Sequence, residues 1–197
     1  MRDWLRWAVI ACLAIVYTVV LFAVFHPRIS QAYRAYFIDR TSVDWNPSHY
    51  RATPEEGMSF SQPGLPDWVA WTYGFTKQES RGRWTDDDLG NVAGLMFDRP
   101  FNGTYCVQFS ALPAQPMHGS FGLRFGSQSA TLQVRGRDFS EYQAQFDDVK
   151  DARQLEFLLP KNLPRVHEYD PPNGDRRRLG LRLSVLKIRT GSCSPAH

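Results

Sequence analysis

Two short stretches of this chain gather side chains that could take a ligand. The first, Gln78-Glu79-Ser80-Arg81-Gly82-Arg83-Trp84, sets a carboxylate, two guanidiniums and an indole in one loop. Glu79, Arg81 and Arg83 can hold sugar hydroxyls in charge-assisted hydrogen bonds, and the Trp84 ring can lie on the C–H face of a pyranose. The same residues also suit packing, with Trp84 in the core and Arg83 paired to Glu79 or an aspartate. The second stretch, Gly174-Asp175-Arg176-Arg177-Arg178, lines up three guanidiniums suited to a phosphate or an anionic headgroup. In extended chain they alternate sides, so only Arg176 and Arg178 point together. Asp175 can instead pair with Arg177, leaving a solvated arginine edge. Trp68, Trp71 and Tyr73 make an aromatic group. Trp71 and Tyr73 share strand parity and serve either as a sugar platform or as core filling.

Signals for catalysis are weaker. The five histidines, His26, His49, His118, His167 and His197, lack metal-ligand spacing. Asp86-Asp87-Asp88 lacks the alternation and closing glutamate of a calcium loop. No residue is assigned to catalysis, to a metal or to a cofactor. A carboxylate pair for glycoside cleavage, Glu79 with Asp175 or Glu168, depends on a separation that only the folded chain supplies. Formal charge is +3, from 23 basic and 20 acidic side chains. No lysine and arginine stripe alternates with aromatic residues, so nucleic acid is not an expected partner.

The element that must position these groups is a β-rich domain. Short apolar–polar alternations recur at 69–73, 91–97, 104–111, 121–125, 130–135, 141–146, 155–159 and 179–188, separated by turns rich in glycine, proline and aspartate. This pattern predicts a mainly β fold, a β-sandwich or jelly roll, over residues 41–190. In the last segment apolar residues fall on both parities, with Leu179, Leu181, Leu183 and Val185 against Leu186 and Ile188. Residues 41–67 read as ordered coil held by Trp45, Tyr50, Met58 and Phe60, with Met58–Phe60 as a first short strand. No glycine-rich phosphate loop occurs, and helices do not alternate with strands.

Ahead of the domain, Ala8 to Phe25 holds no charge, proline or glycine. As a helix it rises about 27 Å, close to the ~30 Å hydrocarbon core, with Trp4 and Trp7 at the interface. It is long for a cleaved signal and reads as an uncleaved single-pass transmembrane helix. Residues 1–7 then form a short cytoplasmic segment, 26–40 a juxtamembrane amphipathic segment and 191–197 a tail. Arg2 and Arg6 place the C-terminal domain outside, in the periplasm of a bacterium whose inner membrane carries the anchor. Cys12 lies in the apolar run. Cys106 and Cys193 are either bridged, if the domain faces an oxidising compartment, or two unrelated thiols.

Three quoted motifs occur in a recognisable order: YRAYFIDRTSVDWNPSHYRATPEEGMSF, GFTKQESRGRWTD and GDRRRLGLRLSVLKI. Over residues 33–189 they resemble the extra C-terminal domain of some bacterial phosphoglycerol transferase I proteins. Those enzymes resemble alkaline-phosphatase-type transferases that decorate osmoregulated periplasmic glucans. The resemblance puts Glu79, Gly82, Arg83, Trp84, Asp175, Arg177, Leu179 and Gly180 in family-like positions. The transferase's large catalytic domain, with its metal cluster and nucleophilic hydroxyl, is not in this sequence. The resemblance therefore implies an accessory module, without transferase activity.

The leading expectation is a non-catalytic, membrane-anchored envelope module that recognises a glycan or an anionic headgroup. It would act beside an envelope polysaccharide-modifying enzyme. One alternative is a structural or assembly protein docking onto an envelope membrane enzyme. The other is a weak carbohydrate-active hydrolase or transferase. A glycan binder should show a groove with Trp84 or Trp71 beside Glu79 and arginines. An assembly protein should bury these and expose an apolar patch elsewhere. An enzyme needs convergent acidic groups or a nucleophile–base pair.

Overall fold

The alternating segments do form strands. The computed structural model describes residues 48–194, with Trp4, Trp7, Ile10, residues 12–18 and Val20 of a helical stretch. The strands are β1 (His49–Tyr50), β2 (Met58–Ser59), β3 (Leu65–Pro66), β4 (Val69–Tyr73), β5 (Arg83–Asp86), β6 (Val92–Pro113), β7 (Ser120–Phe125), β8 (Gln128–Gln133), β9 (Ser140–Leu158) and β10 (Leu179–Thr190). β1 and β3 pair in parallel as a small ribbon. The other eight join one antiparallel sheet.

That sheet folds over on itself because β6 and β9 run through both layers. Their early and late halves pair in two blocks, Val92–Met96 with Gln154–Leu158 and Tyr105–Ala111 with Ser140–Phe146. Between the blocks the register slips three times, at Met96/Phe101, Phe101/Gly103 and Gly103/Tyr105. Asp148 and Asp151 take left-handed conformations on the facing strand. Such irregularities bend and twist a ladder without ending it. The first layer is β4, early β6, late β9, β7 and β8. The second is late β6 with early β9 on one side and β10 on the other, with β5 and β2 on the far edge of β10. The separate strands expected at 91–97 and 104–111, and at 141–146 and 155–159, are thus single long strands. Pro100 and Asn102-Gly103 read as a turn in sequence but are accommodated as bulges.

Aromatic rings fill the space between the layers. Phe109 meets Phe157 at 5.2 Å and Phe121 at 6.2 Å, and Phe125 meets Phe146 at 5.6 Å, all edge to face. Ala93, Leu95 and Phe97 face inward, while Val92 and Met96 are half-exposed. In β10 the inward set runs Leu179, Leu181, Leu183 and then Leu186, Ile188. A bulge between Leu183 and Val185 changes the parity. This explains apolar residues on both parities of that segment. Met58 and Phe60 are core residues, whereas Trp45 lies outside the described residues.

Cys106 and Cys193 form a disulfide, their Cα atoms 4.9 Å apart. It fastens the chain just past β10 to β6, where Arg189 already pairs with Cys106. Among the described residues no helix is long and apolar enough to cross a membrane. The anchor expected over Ala8–Phe25 lies in part outside them, and the segment expected over 26–40 wholly so.

Candidate functional site

Several loops converge at one end of the sandwich. These are 114–119 after β6, 134–139 after β8, and 159–178 before β10, which holds one helical turn (Val166–Tyr169) and one 3-10 turn (Pro171–Asn173). With Trp84 of β5 and Glu79 of the preceding turn they enclose a groove of about 790 Å³. Trp84 and Tyr169 are half-buried and pack on a small cluster of Ala114, Val166 and Leu179. Each therefore presents part of a ring to the groove on a fixed base.

The 79–82 turn is closed by two backbone hydrogen bonds, Glu79 N–H to Gly82 O at 3.0 Å and Gly82 N–H to Glu79 O at 3.2 Å. Gly82 has φ 129°, and a Cβ there would lie 1.9 Å from the Leu183 carbonyl oxygen. Only glycine allows this approach to β10. The approach sets Glu79 at the groove and Trp84 in register with Arg182.

A chain of charges runs along the groove wall. Arg177 Nε donates to Asp175 Oδ1 and Oδ2 at 3.0 and 2.9 Å, and its Nη2 to Oδ2 at 2.6 Å. The same Nη2 lies 3.5 Å from Glu79 Oε1, and Arg182 Nη2 lies 3.1 Å from Glu79 Oε2. Arg182 in turn stands over the Trp84 ring at 5.8 Å. The Arg177 hydrogen bonds hold the Asp175 carboxyl below its ordinary range. Burial, then the Asp175 and Asp170 charges, push the Tyr169 phenol up. Asp175 is thus kept ionised, the reverse of what a general acid for glycoside cleavage requires. Among the described residues no group of three or more His, Cys, Asp and Glu side chains is placed to hold a metal ion.

Of the residues singled out in sequence, Glu79, Trp84, Asp175 and Arg177 meet in this groove. Arg83 does not reach a surface. It is 0% exposed and its Nη1 donates to the Thr76 carbonyl at 3.2 Å, because its strand parity turns it inward when Trp84 turns outward. Arg81 is exposed and does not line the groove; it lies over the Phe139 ring of the 134–139 loop at 5.1 Å. Trp71 lies on the outer face of the first layer, against Tyr73 at 5.4 Å. Sequence reading missed His118, Tyr169, Asp170 and Asn173, which also line the groove. The signal of the last three, a Tyr-Asp-Pro-Pro-Asn-Gly turn, reads as loop chemistry until its neighbours in space are known, and His118 stands in a separate loop.

These features define an antiparallel β-sandwich whose end loops build a polar groove with aromatic walls. The chain belongs to the family described as Domain of unknown function (DUF7024), which matches residues 43–190. It is also similar to Phosphoglycerol transferase I of Salmonella typhimurium and of Salmonella typhi, each at 24% identity over 152 residues. Each match covers 77% of this chain and 19% of the relative. The chain thus spans about a fifth of the length of these curated relatives. Among solved structures it is similar to a point mutant of a family 29 carbohydrate binding module. That match has 14% identity and TM-score 0.43, covering 68% of this chain and 91% of the other. It is also similar to the C-terminal family 6 module of LamC, a marine laminarinase from Zobellia galactanivorans. There the identity is 11% and the TM-score 0.38, covering 62% and 93%. Likenesses this loose carry nothing about the groove, whose reading rests on its own residues.

Proposed function

We propose that this chain is a non-catalytic glycan-recognition module of the bacterial envelope, anchored by Ala8 to Phe25 with its sandwich in the periplasm. It would serve an enzyme of envelope polysaccharide modification, in keeping with the name of its curated relatives. The observation that carries the reading is the groove. Two fixed aromatic rings stand among carboxylates and an amide that can hold sugar hydroxyls. Along its wall Arg177 is committed to Asp175 and Glu79. A neutral saccharide suits this site better than an anionic headgroup, because the lining sets three carboxylates, Glu79, Asp170 and Asp175, against two guanidiniums, Arg137 and Arg177. The Cys106–Cys193 bridge supports an oxidising compartment. Leu13, Ile15, Val16 and Tyr17 are helical and exposed, which supports an apolar medium around that stretch.

The test is retention of the full-length protein, in detergent, by immobilised neutral β-glucans. Asp170→Ala with Asn173→Ala, both in the loop before β10, should weaken binding about tenfold with no change in melting temperature, roughly the loss of one charge-assisted hydrogen bond. Trp84→Ala should weaken it further. Binding should persist as salt rises, since no net charge is being matched. Unaltered binding by the loop variant, or binding lost with modest salt, would overturn the neutral-glycan groove.

A further inference from the structure

The outer face of the first layer carries a built arrangement that the groove does not use. Strand register places Tyr73 (β4), Gly94 (β6), Glu156 (β9), Arg124 (β7) and Ser129 (β8) in one row across five strands. Trp71, Met96 and Gln154 form the next row. Gly94 makes this row flat. A Cβ there would fall 2.6 Å from the Tyr73 hydroxyl, so the phenol ring lies across β6. Its Oη donates to Glu156 Oε1 at 2.6 Å. Arg124 Nε and Gln154 Nε2 donate to Glu156 Oε2. Glu156 is only 6% exposed although it sits on the face turned to solvent. Beside this locked network Trp71 is 45% exposed, the most exposed large apolar side chain described outside the N-terminal helix.

We propose that this sheet face is a second glycan-binding surface, taking an uncharged chain laid across the strands. Trp71 would stack on one sugar ring. Arg124 and Gln154, held by Glu156, would hydrogen-bond hydroxyls farther along. From β4 to β7 the reach is three strand spacings, about 14 Å. The occupant is uncharged because the one guanidinium in the row is matched by the one carboxylate, and Met96, Gln154 and Ser129 add no charge. Aromatic stacking with hydrogen bonds from fixed polar groups is what a sugar's alternating C–H and O–H surface requires. The face is independent of the groove, and the two would act in one molecule as two weak sites joined by a rigid scaffold.

The experiment uses the full-length protein in detergent with soluble β-1,3- and β-1,4-linked glucan oligosaccharides, followed by titration calorimetry and by sizing. Trp71→Ala should lower affinity about tenfold or remove one of two binding phases. Trp71→Phe should retain much of it, and both should melt as the wild type does. Asp170→Ala with Asn173→Ala should leave the Trp71-dependent phase in place. If Trp71→Ala binds like the wild type while the loop variant loses all binding, the platform is overturned and the groove stands. The opposite pair of results keeps the platform and overturns the groove. A change of oligomeric state in Trp71→Ala would make this face a contact between copies, and no binding of any glucan by the wild type would sink both sites.

Discussion

Asp175 sets the charge balance of the groove. Arg177 reaches it through a bidentate fork and also faces Glu79, so one cation settles two carboxylates. Because the folded carboxyl titrates below its unfolded value of about 3.9, the pairing contributes fully above roughly pH 4 and is lost as pH falls through the lower folded value. Asp175→Asn should therefore cost about 1 kcal/mol near neutrality, a modest figure because both side chains are partly solvated. The gap in melting temperature between variant and wild type should close below about pH 4. Thermal melts across pH check this. A gap that stays constant into acid would assign the stability to something other than the ionised carboxylate. At this scale the sequence already held the answer, since Asp175 and Arg177 are two residues apart and share a side in extended chain. What it could not show is that Arg83 turns inward while Trp84 turns outward. Both fit the same motif, and only the register of β5 on β10, which sets Arg83 opposite the buried Leu183 and Trp84 opposite Arg182, decides between them.

The groove rests on how β5, β10 and the β6–β9 pair are joined. β10 carries a bulge in the middle and a tether at its end. The Cys106–Cys193 bridge closes a loop of sequence separation 87, and its larger effect is on the unfolded chain, whose freedom it restricts. Cys193→Ser, or reduction of the wild type, should lower stability by about 2–4 kcal/mol while leaving glycan binding intact in the cold. Denaturant titration with and without reductant measures it. An unchanged midpoint would mean that the β6–β10 ladder alone fixes this edge. The element boundaries legible in the sequence were those of short strands flanked by true turns, such as β4 and β7. The long strands were not legible. Proline and Asn-Gly are turn signals, yet the ladder on both sides of residues 98–104 is held by Phe97, Phe101 and Tyr105 packing around Phe125. That packing carries the strand through a bend which local preference would end.

For the whole molecule, the proposal of an anchored sandwich in the periplasm rests on the Cys106–Cys193 bridge and the apolar stretch ahead of the sandwich. We expect a reporter enzyme active only outside the cytoplasm, fused after the last residue, to be active in intact bacteria. Activity only for a fusion facing the cytosol would overturn both the anchor's orientation and the periplasmic setting.

The alternation of apolar and polar residues determined, without any structure, that this chain makes sheets buried on one face, because side chains on a strand point to opposite sides with period two. The same sequence determined which residues carry ring and charge. Which of them share a surface was decided only by the tertiary structure. Glu79 meets Arg177, and Tyr73 meets Glu156, across separations of tens of residues, and these meetings follow from bulges and the folding of the sheet. Each of those is a balance of long-range packing against local turn preference, and a linear pattern records only the second.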